Sequence, residues 1–188
     1  KRKSSRRKFH AFRNKLLLNQ WLISLFGIDP FIEHKVDGKT VRPFHQLAES
    51  IRDPRLEGLD KDNLHYFYHH LTDSPLFRDA NEAATCPGLR ISRDLLLSYE
   101  QNIVHHTQAI NEKRPLPVVW KYYQWLALLF VEIYLDRFFS NREGLLKDLN
   151  AFVERFNDHW NGYADVPHYN DDDLNKLCMQ SATGSGKT

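Results

Sequence analysis

The sequence predicts a mainly α-helical domain, and three observations predict it. Apolar residues recur near a 3.6-residue period in several segments, among them 92–110 and 145–160. Ser, Asp and Pro stand where helices would open. One segment, 118–139, is apolar nearly all round, as the buried centre of a helical domain would be. The one strand of consequence is expected near 175–180, with a small hairpin around Asp37-Gly38.

Taken in order, Phe9, Phe12, Leu16, Ile23 and Phe26 place a helix over roughly 6–26, stopped by Gly27. Pro43 opens a short helix to about Ile51. Asp60 is expected to cap a helix over Lys61–Leu71, and 72–90, with Pro75, Pro87 and Gly88, reads as a long loop. Ser92 caps a helix carrying Leu96, Tyr99, Ile103 and Ile110 on one stripe and ending before Pro115. Pro117 starts the apolar helix to about Phe139. Ser140 and Glu143 form a capping-box pattern for a last helix with Leu145, Leu149, Phe152, Phe156 and Trp160, closed by Gly162.

Composition narrows the class. With 188 residues, 41% hydrophobic and 27% charged, the chain is globular and can bury about two-thirds of its unfolded surface. Cys86 and Cys178 make no disulfide framework and suit a reducing compartment. The longest uncharged run, Leu16–Ile28, is below the ~18 residues a membrane span needs, so a cytoplasmic, membrane-free protein is expected. Asn19, Gln20 and Trp21 break what would otherwise imitate a signal peptide.

Charge is uneven. Residues 1–15 hold eight Lys or Arg and no acid, whereas the rest of the chain has more acids than bases. Arg2, Arg6, Arg7, Lys8 and Arg13 are therefore candidates to grip a phosphate backbone; a solvated tail is the alternative.

At the other end, Ser181-Ala182-Thr183-Gly184-Ser185-Gly186-Lys187-Thr188 matches the phosphate-loop pattern except for Ser at its first glycine. Gly184, Ser185 and Gly186 would let backbone N–H groups turn inward on a phosphate. Lys187 would reach the β and γ phosphates of ATP, and the Thr188 hydroxyl would hold Mg²⁺. Leu177-Cys178-Met179 supplies a short apolar run for the strand before the loop. A phosphate loop also needs a helix after it, so the chain is expected to be the N-terminal part of a larger NTPase.

Met179–Thr188 resembles motif I of superfamily-two helicases of DEAD/DEAH flavour, including the helicase subunits of type III restriction enzymes. The resemblance covers about ten residues. It implies a RecA-like α/β motor entered at 174–188, ATP and Mg²⁺ as cofactors, and DNA as partner. It also implies a modification, specificity or other defence protein as possible company. Lys121-Tyr122-Tyr123-Gln124-Trp125-Leu126-Ala127 is similar to the R-x-Y-Q-x-x-A element of these helicases, in which the Gln reads adenine. Its sixty-residue distance from Gly184 is longer than usual in the family, and an ordinary helix position is the alternative for Gln124.

The expected organisation is a basic arm (1–15), a helical domain (16–161), an acidic linker (162–173) and the first strand and phosphate loop (174–188). Residues 118–161 go with the motor if Gln124 reads adenine. The function expected is DNA contact or motor regulation at the N-terminus of an ATP-dependent helicase or translocase. The alternative is a non-catalytic helical module that docks a partner or holds the motor inactive. Other patterns are weaker. His65, His69 and Cys86 lack a fourth zinc ligand at fixed spacing. Asp29, Asp37 and Lys39 imitate a nuclease layout, but a tight turn explains Asp37-Gly38 as well. Tyr66, Phe67 and Tyr68 fit core packing better than base stacking.

Overall fold

The computed structural model describes residues 15–77, 91–163 and 165–178, and these are mainly helical. Of the helix expected over 6–26, positions 6–14 lie outside the described residues; within them helix α1 spans Leu17–Ser24, and residue 16 is not helical. Lys15 places a cation where the helix dipole disfavours one. The helix tightens as Leu25, Phe26 and Gly27 donate to the carbonyls of Leu22, Ile23 and Ser24, and Gly27 takes φ +78° as its stop.

Strands β1 (His34–Val36) and β2 (Lys39–Val41) form the expected hairpin, with Val36 opposite Lys39. Asp37 and Gly38 both take positive φ, +50° and +74°, which suits the right-handed twist of a two-residue turn. Every residue from 32 to 40 is exposed. Helix α2 (Pro43–Ala48) follows, opened by its proline.

Asp60 caps a turn rather than a helix. Its carboxylate accepts the N–H groups of Asp62 (2.8 Å) and Leu64 (2.9 Å), and Asn63 adopts φ +60°. The helix expected from Lys61 therefore starts later, as α3 (Tyr66–Thr72). Of its aromatic trio, Phe67 is buried against Trp125, while Tyr66 is exposed.

Helix α4 (Arg93–Asn111) is capped by Ser92, whose hydroxyl accepts the Leu95 N–H. Leu96, Tyr99 and Ile103 are buried as expected, but Ile110, in the last turn, is exposed. The following segment folds back on the end of α4. Asn111 Oδ1 accepts the Val118 N–H at 2.7 Å, and the Trp120 indole donates to Thr107 at 2.8 Å. These bonds hold the chain out of helical register, so α5 (Tyr122–Ser140) begins after Lys121 rather than at Pro117.

Ser140 remains the last residue of α5, and Asn141 opens α6 (Arg142–His159). Its side chain accepts the Gly144 N–H at 2.9 Å, which replaces the expected Ser140–Glu143 capping box. A Cβ at Gly144 would lie 2.5 Å from Asn141 Nδ2, so the glycine leaves room for the cap. Leu145, Leu149, Phe152 and Phe156 are buried, and Gly162 turns the chain at φ +80°. Past it, Asp171–Asn175 form a 3-10 turn and 176–178 form no strand, so the strand expected near 175–180 is not formed over its described part.

The chain divides into two compact units, 22–134 and 1–21 with 135–188. The first has its core among Leu47, Phe67, Leu96, Trp125, Leu126 and Leu129; the second among Leu145, Leu149, Phe152, Val153 and Phe156.

Candidate functional site

The phosphate-loop residues Gly184, Ser185, Gly186, Lys187 and Thr188 lie outside the described residues, as do Arg2, Arg6, Arg7, Lys8, Arg13 and Cys86. The segment leading towards that loop is described, and α6 grips it at three places. Asn157 uses both ends of its amide on Val166, accepting its N–H and donating to its carbonyl, each at 2.9 Å. Asn150 repeats the pair on Tyr169, at 2.7 and 3.0 Å. Arg142 forks onto the Asp171 carboxylate at 2.5 and 2.9 Å, donates to the Asp171 carbonyl at 2.8 Å and to Asn175 Oδ1 at 3.2 Å, and lies over the Phe138 ring.

The spacing has a geometric reason. Two helical turns from Asn150 to Asn157 rise ~10 Å, the reach of the three extended residues from Val166 to Tyr169. The segment thus runs antiparallel to the helix in fixed register. It ends in a capping box between Asn170 and Asp173 and the buried Leu174. Burial, reinforced by the nearby Asp173 charge, pushes the Tyr169 phenol upward; the Asn170 N–H lowers the Asp173 carboxyl, aided by Lys176. The acidic run Asp171–Asp173 is therefore bound structure and not free chain. The signal in the sequence was Asn150 and Asn157 seven apart on an otherwise patterned helix, and sequence reasoning missed it.

Gln124 stands three residues after Lys121, and its Oε1 accepts the Lys121 N–H at 2.9 Å. This is the helix-side half of a capping box.

The histidines go elsewhere. His65 is buried, and both its backbone N–H (2.6 Å) and its ring Nδ1 (2.7 Å) meet Glu100 Oε1. The Trp125 indole donates to Glu100 Oε2 at 2.8 Å. Three protein groups thus converge on one fully buried carboxylate. His69 pairs with Asp60 at 2.7 Å. His65 and His69 thus turn to different carboxylates, and among the described residues, which leave out Cys86, no group of His, Cys, Asp and Glu could hold a metal. Glu100 was legible as the one acid on the inward stripe of Leu96, Tyr99 and Ile103. Asp29 accepts the Phe31 N–H and Asp37 sits in the hairpin turn, which gives both a turn role.

No protein-family model, curated protein or solved structure matches the chain. No described helix is long and apolar enough to cross a membrane.

Proposed function

We propose that this chain is the N-terminal region of an ATP-dependent DNA helicase or translocase of restriction or defence type, contributing DNA contact or motor regulation. The observation that carries the reading is the string Thr183-Gly184-Ser185-Gly186-Lys187-Thr188, which resembles motif I of that superfamily. In this reading the loop opens a RecA-like α/β motor, Lys187 and Thr188 serve ATP and Mg²⁺, and Gln124 is the candidate adenine reader. The cations of 1–15 supply sequence-independent DNA contact. Residues 1–188 alone lack the helix that receives the phosphate and the downstream acids and arginines, so by themselves they do not turn over ATP.

The test is Lys187→Ala in the complete gene product. DNA-stimulated ATP hydrolysis should be abolished, because the lysine charge stabilises the transferring phosphate. A D-E-x-H/D motif downstream of codon 188 separates a helicase from another NTPase. Unchanged hydrolysis in Lys187→Ala would refute the reading. The docking alternative is favoured by Leu116 and Val119, exposed on the segment between α4 and α5. A partner bound equally well by Lys187→Ala, with no hydrolysis in the parent, would support it.

A further inference from the structure

We propose that the β1–β2 hairpin is a DNA-contacting surface in its own right, which lays Lys35, Thr40 and Arg42 along the phosphates of one strand of a duplex. The inference deepens the DNA-contact reading above and rests on it.

The hairpin adds nothing to the core, since every residue from 32 to 40 is exposed. Packing therefore does not dictate which side chains it carries, and a two-stranded ribbon is marginal by itself. What it carries is cationic. Residues 34–45 hold Lys35, Lys39 and Arg42 against the single acid Asp37, whereas the remainder of 22–134 has fourteen acids and nine Lys or Arg. Among the described residues none of the three cations enters an ion pair, although Glu33 precedes the ladder on the same strand. A positive projection on an acidic body is complementary to a polyanion.

Register sorts these cations onto faces. Lys35 stands opposite Thr40 and Val36 opposite Lys39, so Lys35 and Thr40 share one face while Lys39 shares the other with Val36 and Val41. Arg42 continues the strand at φ −75° and ψ 149°, and alternation puts it on the side of Thr40. Val41 is half-buried between the exposed Thr40 and Arg42, so its face turns towards the domain and theirs turns outward. Diagonal neighbours such as 35 and 42 lie about 7–8 Å apart, and two steps along one DNA strand advance ~6.8 Å. The two cations thus span two phosphates, with the Thr40 hydroxyl between them as a further donor. A ribbon of two strands also fits the major groove, but entering tip first would carry the Asp37 carboxylate in among the phosphates. The outward face makes the contact, and it reads no base.

The test is anisotropy of a short labelled DNA duplex with the complete gene product across a salt series, comparing the parent with Lys35→Gln/Arg42→Gln. Two controls separate the face from net charge. Lys113→Gln/Arg114→Gln removes equal charge from the exposed stretch after α4, and Lys39→Gln removes a charge from the other face of the hairpin. The hairpin double variant should lower the log–log salt slope by ~1.8, at ~0.9 for each lost contact, and raise Kd about tenfold at ~0.1 M salt. Both controls should keep slopes close to the parent's, and all four proteins should melt alike. Arg42→Lys retains the charge and should retain the slope, which keeps the question open to test if the double variant unfolds. Equal slopes in parent and hairpin variant overturn the contact, leave the three cations as solvated surface charge, and leave the DNA reading to the N-terminal arm. A loss matched by either control overturns it as well, because net charge and not this face would then decide. A parent protein that binds no duplex removes the DNA-contact reading, and this inference falls with it.

Discussion

Glu100 concentrates the energetics of single residues. Its carboxylate accepts from the His65 backbone, the His65 ring and the Trp125 indole, and it is fully buried. Removing it strands three donors without solvent. Glu100→Ala should therefore cost about 3–5 kcal/mol of unfolding free energy, against about 1–2 for Trp125→Phe, which strands one acceptor site. Chemical denaturation of both variants checks the ratio; equal losses would show that packing and not the carboxylate dominates. Titrating groups give a second expectation. Asp60 is lowered by the Leu64 N–H and then by His69, and Asp173 by the Asn170 N–H and then by Lys176. A carboxyl lowered on folding stabilises above its ordinary range, and that contribution disappears as pH falls through the folded value. Tyr169 is raised by burial, so its contribution is intact below the phenol's ordinary value and is lost as pH rises past it. The melting temperature should fall on both the acid and the strongly alkaline side. Asp60→Asn should flatten the acid limb, and Tyr169→Phe the alkaline limb.

Elements were legible in proportion to how locally they are determined. The Ser92 cap, the turn at Asp37-Gly38, the buried stripe of α4 and the Gly27 and Gly162 stops all follow from residues within a few positions, and the structure has them. Two errors, at Pro117 and the 166–175 strap on α6, came where a distant partner decides, and two, at Asp60 and Ser140, turn on residues within four positions. Asp60 looks like a cap until its carboxylate is found closing a turn onto Leu64. Pro117 looks like a helix start until Asn111 and Thr107 claim the segment after it. The seven-residue spacing of Asn150 and Asn157 hints at the strap, but asparagine amides on a helix declare no partner nineteen residues away. The cap of α6 was missed by one position, because α5 keeps Ser140. That error makes a clean expectation. Asn141→Ala should cost about 1 kcal/mol, and Ser140→Ala should change stability by less than about 0.5. Thermal melts of the two proteins decide between the caps, and a larger loss at Ser140 would restore the capping box.

At the level of the whole chain, charge separates the N-terminal arm from the body. Residues 1–15 carry eight cations and no acid. If they grip DNA, deleting 1–8 should weaken binding and reduce the log–log salt slope by ~0.9 for each duplex phosphate no longer neutralised. Anisotropy across a salt series measures this; identical slopes with and without the arm leave it a solvated tail. The hairpin bears on the same molecule in a different way. Two short strands with both edges open offer unpaired backbone groups to any other copy of the chain. Three features oppose that meeting. The strands are three residues long, Lys35 and Lys39 bring like charges to any facing copy, and Pro30 and Pro43 stop the ribbon from lengthening. Replacing Lys35 and Lys39 by valine would take those charges away and leave a β-branched, uncharged ribbon beside the exposed Ile32 and Val36. The hairpin is thus a site where solubility at high concentration is decided, and light scattering of that double variant would show it as concentration-dependent self-association.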